Sequence, residues 1–510
     1  MKDQYDVIVV GGGGSGLAAA TSAAENGLSV ILLEKRPELG GTTGIAVGSF
    51  TANRTRHQRR AGIEDNPDDH EADASRFGPP DIQMRNNRVL RRFFLEHAAD
   101  TLDWLMANGL RFHGPSPEPP NRVPRMHNVV PNAKAYIAVL QSRLIRLGGT
   151  IVCDATVTRL LQVEGRVVGV EAKVRSSGAV ALRARRGVVL AAGDYANSAD
   201  LIARYKGPQF ADIEGINPHA TGDGQRMVEE IGGSLVNMDI TYGPELRFVP
   251  PPRKPFSQLL PASGPAASLM GRCLPLVPQW MISRMIKRLL VTWQHPEDAL
   301  FHDGAILVNR HGVRFCDECL SPAREIAIAR QPDKIAYILL DGRLIEHYSQ
   351  WPHFVSTAPE IAYAYVDDYR RMRPDVTIVR SELSNIAQAR SFPRDALGET
   401  VEEFNRIVFD HPVSNPGRPV GAQPLKQGPW ALLGPLKAYF TTTEGGARIN
   451  QSLEVLDLQG RPIPGCYAVG QNGLGGIVLW GHGLHIAWAI TSGRLVGRIL
   501  AGQTGCVGRP

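Results

Sequence analysis

The sequence predicts an α/β protein of two domains, one built on a parallel sheet with flanking helices and long enough overall for the second to be inserted in it. Three observations predict it. A chain of 510 residues, 43% of them hydrophobic, is long for one core and can fill two. Its first forty residues read as strand, glycine-rich turn, helix and strand. Proline clusters, Pro250-Pro251-Pro252 and then Pro416, Pro419, Pro424 and Pro429, punctuate the chain where two linkers would fall.

The opening unit carries the clearest chemistry. Tyr5 to Val10 is a short apolar run, followed by Gly11-Gly12-Gly13-Gly14-Ser15-Gly16 and an Ala-rich helical stretch, Leu17 to Glu25. Glycines 11, 13 and 16 take the G-x-G-x-x-G positions: one for the tight turn, one for backbone approach to a pyrophosphate, one for close packing of helix on strand. The helix N-terminus then offers N–H groups to the phosphates. A second strand, Leu28 to Leu33, ends at Glu34, whose carboxylate can accept ribose hydroxyl hydrogen bonds. The order predicts a Rossmann-like dinucleotide site, and does not by itself distinguish FAD from NAD.

The next segment, Pro37-Glu38-Leu39-Gly40-Gly41-Thr42-Thr43, resembles the second signature of large FAD proteins. With it the chain resembles the fumarate reductase/succinate dehydrogenase flavoprotein superfamily, which includes the 3-ketosteroid Δ1-dehydrogenases. Further motifs follow in that family's order: Val188 to Gly193, Ala220 to Gly224, Ile306 to Asn309 with Gly312 to Glu318, Thr443 to Gly446, Ile463 to Gly470, and Gly483 to Gly497. The resemblance implies a Rossmann-like FAD-binding domain in two parts, residues 1–240 and 425–510, around an inserted α+β cap domain, 241–424. It implies an active site where cap meets flavin. It also implies contacts to FAD from Gly11, Gly13, Gly14, Ser15, Gly16, Glu34 and Lys35, and from Gly41, Thr42, Thr43 and Val157. Ala192, Gly193, Asp223, Gly470, Gln471, Gly483 and Leu484 complete the implied set. No His lies between Gly40 and Thr51, the segment through which succinate dehydrogenases attach their flavin, so the FAD is expected to be non-covalent.

The same resemblance narrows the chemistry. Fumarate reductases clamp two carboxylates with cationic residues, whereas Gln471 to Ile490 contains no Arg, and Thr441-Thr442 stands where a His is expected. Ketosteroid dehydrogenases carry Tyr-Pro-Gly-x-Gly before the last helix; this chain has Leu479-Trp480-Gly481-His482-Gly483, with both glycines in register and Leu in place of Tyr. The implied reaction is α,β-dehydrogenation of an apolar cyclic ketone, with the Gly483 N–H and His482 on the ketone oxygen and Trp480 beside the ring. A base takes the α-proton and the β-hydride passes to flavin N5. Tyr195 in Gly193-Asp194-Tyr195 is the first candidate for the base, ahead of Tyr242, Tyr363, Tyr365 and Tyr439; His113 is a further candidate. The same fold run backwards would be an enoate reductase, and a non-catalytic FAD protein on a membrane surface is the reading from another class.

Charge and composition bound the rest. Lys plus Arg number 56 against 50 Asp plus Glu, a net +6 spread along the chain, and six cysteines are too few for a disulfide scaffold. Cys316-x-x-Cys319 has no second pair or neighbouring His, so no metal site is expected there, and the basic run Arg54 to Arg60 accompanies no nucleic-acid fold. The polar Met1 to Gln4 running into a strand leaves no room for a secretory signal, and no apolar run spans a bilayer. A cytoplasmic protein is expected, peripheral to the inner membrane face if the basic amphipathic stretch 279–293 lies on lipid; burial in the cap or a homo-oligomer interface is its other use. The expected partners are a small apolar cyclic ketone and an external electron acceptor (oxygen, quinone or a protein), with no nucleic acid.

Overall fold

The computed structural model describes residues 2–252, 260–262, 264, 269–270, 284, 287–288, 290–292, 294–358, 362–410 and 423–502. Among the described residues, fourteen strands build two main sheets. In chain order they are β1 (Gln4–Val10), β2 (Val30–Leu33), β3 (Thr150–Val152), β4 (Ala155–Val163), β5 (Arg166–Val174), β6 (Gly178–Leu190) and β7 (Glu214–Gly215). They continue with β8 (Glu245–Phe248), β9 (Ile306–Val308), β10 (Ala336–Leu340), β11 (Thr377–Arg380), β12 (Trp430–Phe440), β13 (Glu454–Leu456) and β14 (Pro462–Ala468).

The first sheet runs β13-β14-β6-β1-β2-β3, with the β4–β5 hairpin attached through β5 to β6. Its centre is parallel: β1 pairs with β2 (Val10 opposite Leu33) and with β6 (Val10 opposite Leu190), and β14 pairs with β6 (Ala468 opposite Leu190). β1 and β2 are near-continuous apolar runs, buried from Val7 onward in β1 and throughout β2, as central parallel strands are. Helix α1 (Gly14–Glu25) follows the glycine turn, as the sequence leads one to expect, and starts earlier than Leu17 because the glycines adopt helical geometry. It packs along the last helix, α4 (Leu484–Leu500), so closely that a Cβ on Gly493 would stand 2.3 Å from the Ser15 carbonyl oxygen. Helix α2 (Arg88–Ala107) buries Phe94 against Trp488 of α4, and α3 (Asp223–Glu230) follows the Thr221-Gly222 turn.

The second sheet is organised around β12, which pairs with β7, β8, β10 and β11, while β9 adds to β10. It gathers its own buried core from Tyr195 to Phe440, separate from the core around the first sheet. A boundary at 424/425 therefore falls ahead of β12, a central strand of the inserted sheet, and the second core already begins at Tyr195, ahead of 240. By strand pairing and buried core, residues from about Tyr195 to Phe440 group with the second sheet. A two-stranded ribbon, Tyr242 opposite Thr442, links the two parts beside the N-terminus of α4. Most of the amphipathic stretch 279–293 lies outside the described residues; Leu290 and Val291 are buried in the second core. Among the described residues no helix is long and apolar enough to cross a membrane.

Candidate active site

A cleft opens at the carboxyl ends of β1, β2 and β6, where an open α/β sheet binds its ligand. It is lined by Gly11 to Ser15, Glu34 to Arg36, Gly41 to Thr43, Thr156, Val157, Ala191 to Asp194, Asn217, Asp223 and Gln471, among others. Of the expected cofactor residues, Gly11, Gly13, Gly14, Ser15, Glu34, Lys35, Gly41, Thr42, Thr43, Val157, Ala192, Gly193, Asp223 and Gln471 line it. Gly16 does not; it lets α1 close on β1, since a Cβ there would stand 1.9 Å from the Gly11 carbonyl oxygen. Gly470 lies behind the lining, donating from its N–H to Ser492 Oγ at 3.0 Å and accepting from the Trp488 indole at 3.0 Å. Gly483 and Leu484 belong to a neighbouring group of side chains, described below.

The lining suits FAD. Helix α1 begins at Gly13 and Gly14 with no side chain capping it, so its first N–H groups remain for a diphosphate. Glu34 accepts from the Gly12 N–H at 2.7 Å through Oε2 and from the Arg36 N–H at 2.9 Å through Oε1, which fixes its carboxylate in the cleft wall. Lys35 is held by Thr221 Oγ1 (2.7 Å) and Asp223 Oδ2 (2.8 Å), and Asn217 donates to Thr42 Oγ1 at 2.9 Å. Deeper in, the Gln471 amide donates to Thr442 Oγ1 at 2.7 Å and Thr442 donates to Asp194 Oδ2 at 2.5 Å. The Gln471 Oε1 is buried without a protein partner, an acceptor left for the cofactor. Burial raises the Asp194 carboxyl above its ordinary range.

At the start of α4 a second group converges. Gly483, in the left-handed region at φ +79°, begins the helix with no side chain capping it. Thr51 anchors it, donating from Oγ1 to the His482 carbonyl (2.6 Å) and from its N–H to the Gly483 carbonyl (3.3 Å). Glu118 Oε1 lies 2.6 Å from the His482 Nδ1 and also accepts the His482 backbone N–H at 2.7 Å; this bond raises the imidazole pKa above its ordinary value. One turn on, His485 Nε2 meets the buried Glu444 at 2.7 Å, and Glu444 also accepts the Leu479 N–H at 3.1 Å. The Tyr242 ring stands edge-on to Trp480 (5.8 Å) and His485 (6.5 Å), and burial followed by the Glu245 charge pushes its phenol up to about 12. Glu245 completes the group: burial works against its charge, but Arg247, 2.8 Å away, and His295 hold its carboxyl below the ordinary range.

The structure brings together three of the four residues expected to act on substrate, His482, Gly483 and Trp480. Tyr195 is a correction. It is fully buried in the second core, its hydroxyl donates to the Met238 carbonyl at 2.5 Å, and burial raises its phenol well above 10, so it is neither reachable nor acidic enough to serve as base. Among the other tyrosines, Tyr363 packs on Trp351 and Phe354, Tyr365 begins the helix Val366–Met372, and Tyr439 pairs in β12; Tyr242 alone joins the group at α4. His113 is exposed on the strand Arg111–Ser116. Cys316 and Cys319 sit beside Glu318, and burial raises both thiols, Cys319 to about 12, which makes them poor ligands. Sequence reasoning missed Glu118, Glu444 and His485; the prolines on either side of Glu118 in Pro117-Glu118-Pro119-Pro120 were a signal that its loop is rigid.

The chain matches the family model described as "FAD binding domain" over residues 6–251 and 278–479. It is 26% identical to a fumarate reductase (cytochrome) of Shewanella frigidimarina over 97% of this chain and 76% of the relative. It is also 26% identical to a 4-oxocyclohexanecarboxylate 2-dehydrogenase of Sinomonas cyclohexanicum, over 98% of this chain and 94% of the relative. The solved open conformation of a flavocytochrome c3 fumarate reductase has a similar fold, with TM-score 0.72 and 24% identity over 98% of this chain and 79% of that one. The chain belongs to the FAD binding domain family within the fumarate reductase/succinate dehydrogenase flavoprotein superfamily, and is an FAD-dependent oxidoreductase acting on CH–CH groups.

Proposed function

We propose that this member of the family desaturates an apolar cyclic ketone next to its carbonyl. The observation that carries the reading is that each of three basic side chains at the start of α4 is matched by a carboxylate: His482 by Glu118, His485 by Glu444 and Arg247 by Glu245. Each basic side chain there already has a carboxylate within 2.8 Å, so a dicarboxylate substrate would meet three acids whose basic partners are taken, whereas a neutral ketone brings no charge against them. The N-terminus of α4 at Gly483 and the Tyr242 hydroxyl are the donors for the ketone oxygen, stabilising an enolate as it forms. Trp480 and Tyr242 supply flat apolar surface for a ring. His482 in its neutral form takes the α-proton, with Glu118 stabilising the resulting imidazolium. Bound FAD supplies the hydride acceptor, and an external acceptor (oxygen, quinone or a protein) takes the electrons on. The similarity to a dehydrogenase named for an oxocyclohexane ring supports the ketone class.

One observation favours the reverse direction as a second reading. Glu118 raises the His482 pKa, which populates the imidazolium, the form that would donate a proton in reducing a C=C bond. An anaerobic titration of purified holoprotein separates the two. Bleaching of the flavin band by saturated cyclic ketones, with enone product by mass, supports desaturation. Rapid reoxidation of chemically reduced protein by enones, with no bleaching by any ketone, replaces it with the reductase.

A further inference from the structure

The second sheet carries a cluster that the flavin chemistry does not use. Asp303 follows the short helix Ala299–His302, His347 ends the helix Gly342–His347, and His353 lies in the loop leading to the strand Ser356–Ala358. One ligand atom from each lies within 4.8 Å of the others, and among the described residues no other group of three metal-ligating side chains converges in this way. The two imidazoles stack face to face, centroids 3.6 Å apart and planes 30° apart; an ion is bound in the plane of each ring, so one ring must turn about its side-chain bonds for both to share it. His347 Nε2 is 3.5 Å from Asp303 Oδ2.

The surroundings fix the carboxylate. Tyr348 donates its hydroxyl to Asp303 Oδ2 at 2.6 Å, and Arg343 donates to the Asp303 carbonyl at 2.9 Å, which holds the turn that presents it. A ligand oriented by an outer hydrogen bond is the usual arrangement around a bound metal. Asp303 and His347 keep 36% and 39% of their side-chain surface, so an ion can enter from solvent.

We propose that Asp303, His347 and His353 form a divalent transition-metal site of the zinc class, distinct from the flavin cleft. Two imidazoles and one carboxylate suit Zn²⁺, whereas Mg²⁺ and Ca²⁺ prefer all-oxygen sets, and three protein ligands leave a position for water. The ion ties the loop carrying the exposed Trp351, with Phe354 stacked on it, to the turn after Ala299–His302. The role is that of a staple on the inserted domain.

The test uses tag-free holoprotein stripped with a chelator and titrated with Zn²⁺ by calorimetry, and with Co²⁺ by visible absorption. The expected result is one equivalent bound, a cobalt d–d band, and a rise in Tm with zinc. His347→Ala and His353→Ala should each weaken binding at least tenfold, while His311→Ala, at an exposed histidine elsewhere, should not. Because His353 lies on a loop, its variant reports even if His347→Ala folds poorly, and the flavin spectrum checks folding in both. Absence of binding by wild-type protein, or stoichiometric binding that survives His353→Ala in a folded protein, would overturn the site.

Discussion

Glu118 Oε1 accepts the backbone N–H of His482 and meets the ring Nδ1 of the same residue, so one carboxylate oxygen fixes both the peptide and the imidazole. The result is a histidine of set orientation and raised pKa beside Gly483, where α4 begins. As a base in desaturation the ring must be neutral, so turnover should rise with pH through this raised pKa. Run as a reduction, the imidazolium is the donor and turnover should fall over the same range. Glu118→Gln removes the charge that stabilises the imidazolium, and the inflection should move down toward the ordinary value near 6.5 in either direction. His482→Gln should lower kcat by about 10²- to 10⁴-fold. The check is the pH profile of kcat/KM for wild type and Glu118→Gln; an inflection that stays in place removes His482 from proton transfer.

Two of the candidate tyrosines, Tyr195 and Tyr242, should separate cleanly. Tyr195 is enclosed in the second core with its hydroxyl on the Met238 carbonyl, so Tyr195→Phe should cost about 1 kcal/mol of stability and leave turnover close to wild type. Tyr242 stands between Trp480 and His485 as an un-ionised phenol, suited to donate to a carbonyl oxygen. Tyr242→Phe should reduce kcat by about 10²-fold with flavin retained. Urea unfolding and steady-state kinetics on both variants decide it.

What the sequence made legible was local. The strand, glycine turn, helix and Glu34 follow one another in the chain, and the bounds of α4 follow from Gly483 ahead of an apolar helical run. The extent of the second sheet was not legible, because β12 takes its partners from Glu214, Glu245, Ala336 and Thr377, far back in the chain, and no local pattern announces a strand as central. Glu118 was missed for the same reason: it reaches His482 across 364 positions. Tyr195 was misread because its neighbour Asp194 does line the flavin cleft, while the chain turns Tyr195 into the second core.

Two glycines of the phosphate turn should respond differently to a methyl group. A Cβ on Gly16 would stand 1.9 Å from the Gly11 carbonyl oxygen, a backbone atom that cannot move aside, so Gly16→Ala should destabilise the fold by about 1–3 kcal/mol and lose flavin with it. Gly13 has ordinary negative φ, −80°, and the nearest atom to a Cβ there is Gly41 Cα at 3.9 Å. The protein itself tolerates that methyl, and only a cofactor close to the backbone would object. Gly13→Ala should therefore keep the Tm of the apoprotein while lowering the bound FAD per chain. Equal flavin content in Gly13→Ala and wild type would show that the diphosphate does not approach Gly13.

The segment ahead of α4 is pinned peptide by peptide, and the pins come from outside it. The Val478 N–H donates to Asn86 Oδ1 at 3.0 Å and its carbonyl accepts from Arg91 at 3.1 Å; Leu479 is held by Glu444, and His482 by Glu118 and Thr51. Arg91 is fully buried, and Glu71 accepts from its Nε and Nη2 at 2.6 and 2.8 Å. Arg91→Met would leave the buried Glu71 with only the exposed Arg88, 3.8 Å away, as cation, a loss of about 3–5 kcal/mol, and would free the carbonyl two residues before Trp480. Adding Glu71→Leu removes the stranded charge and should recover much of the stability, but it cannot restore the bond to Val478. The double variant should therefore fold and hold FAD with kcat still depressed, read by denaturant unfolding beside single-turnover kinetics. Recovery of both stability and kcat would mean that Arg91 supports the core without positioning Trp480 and His482.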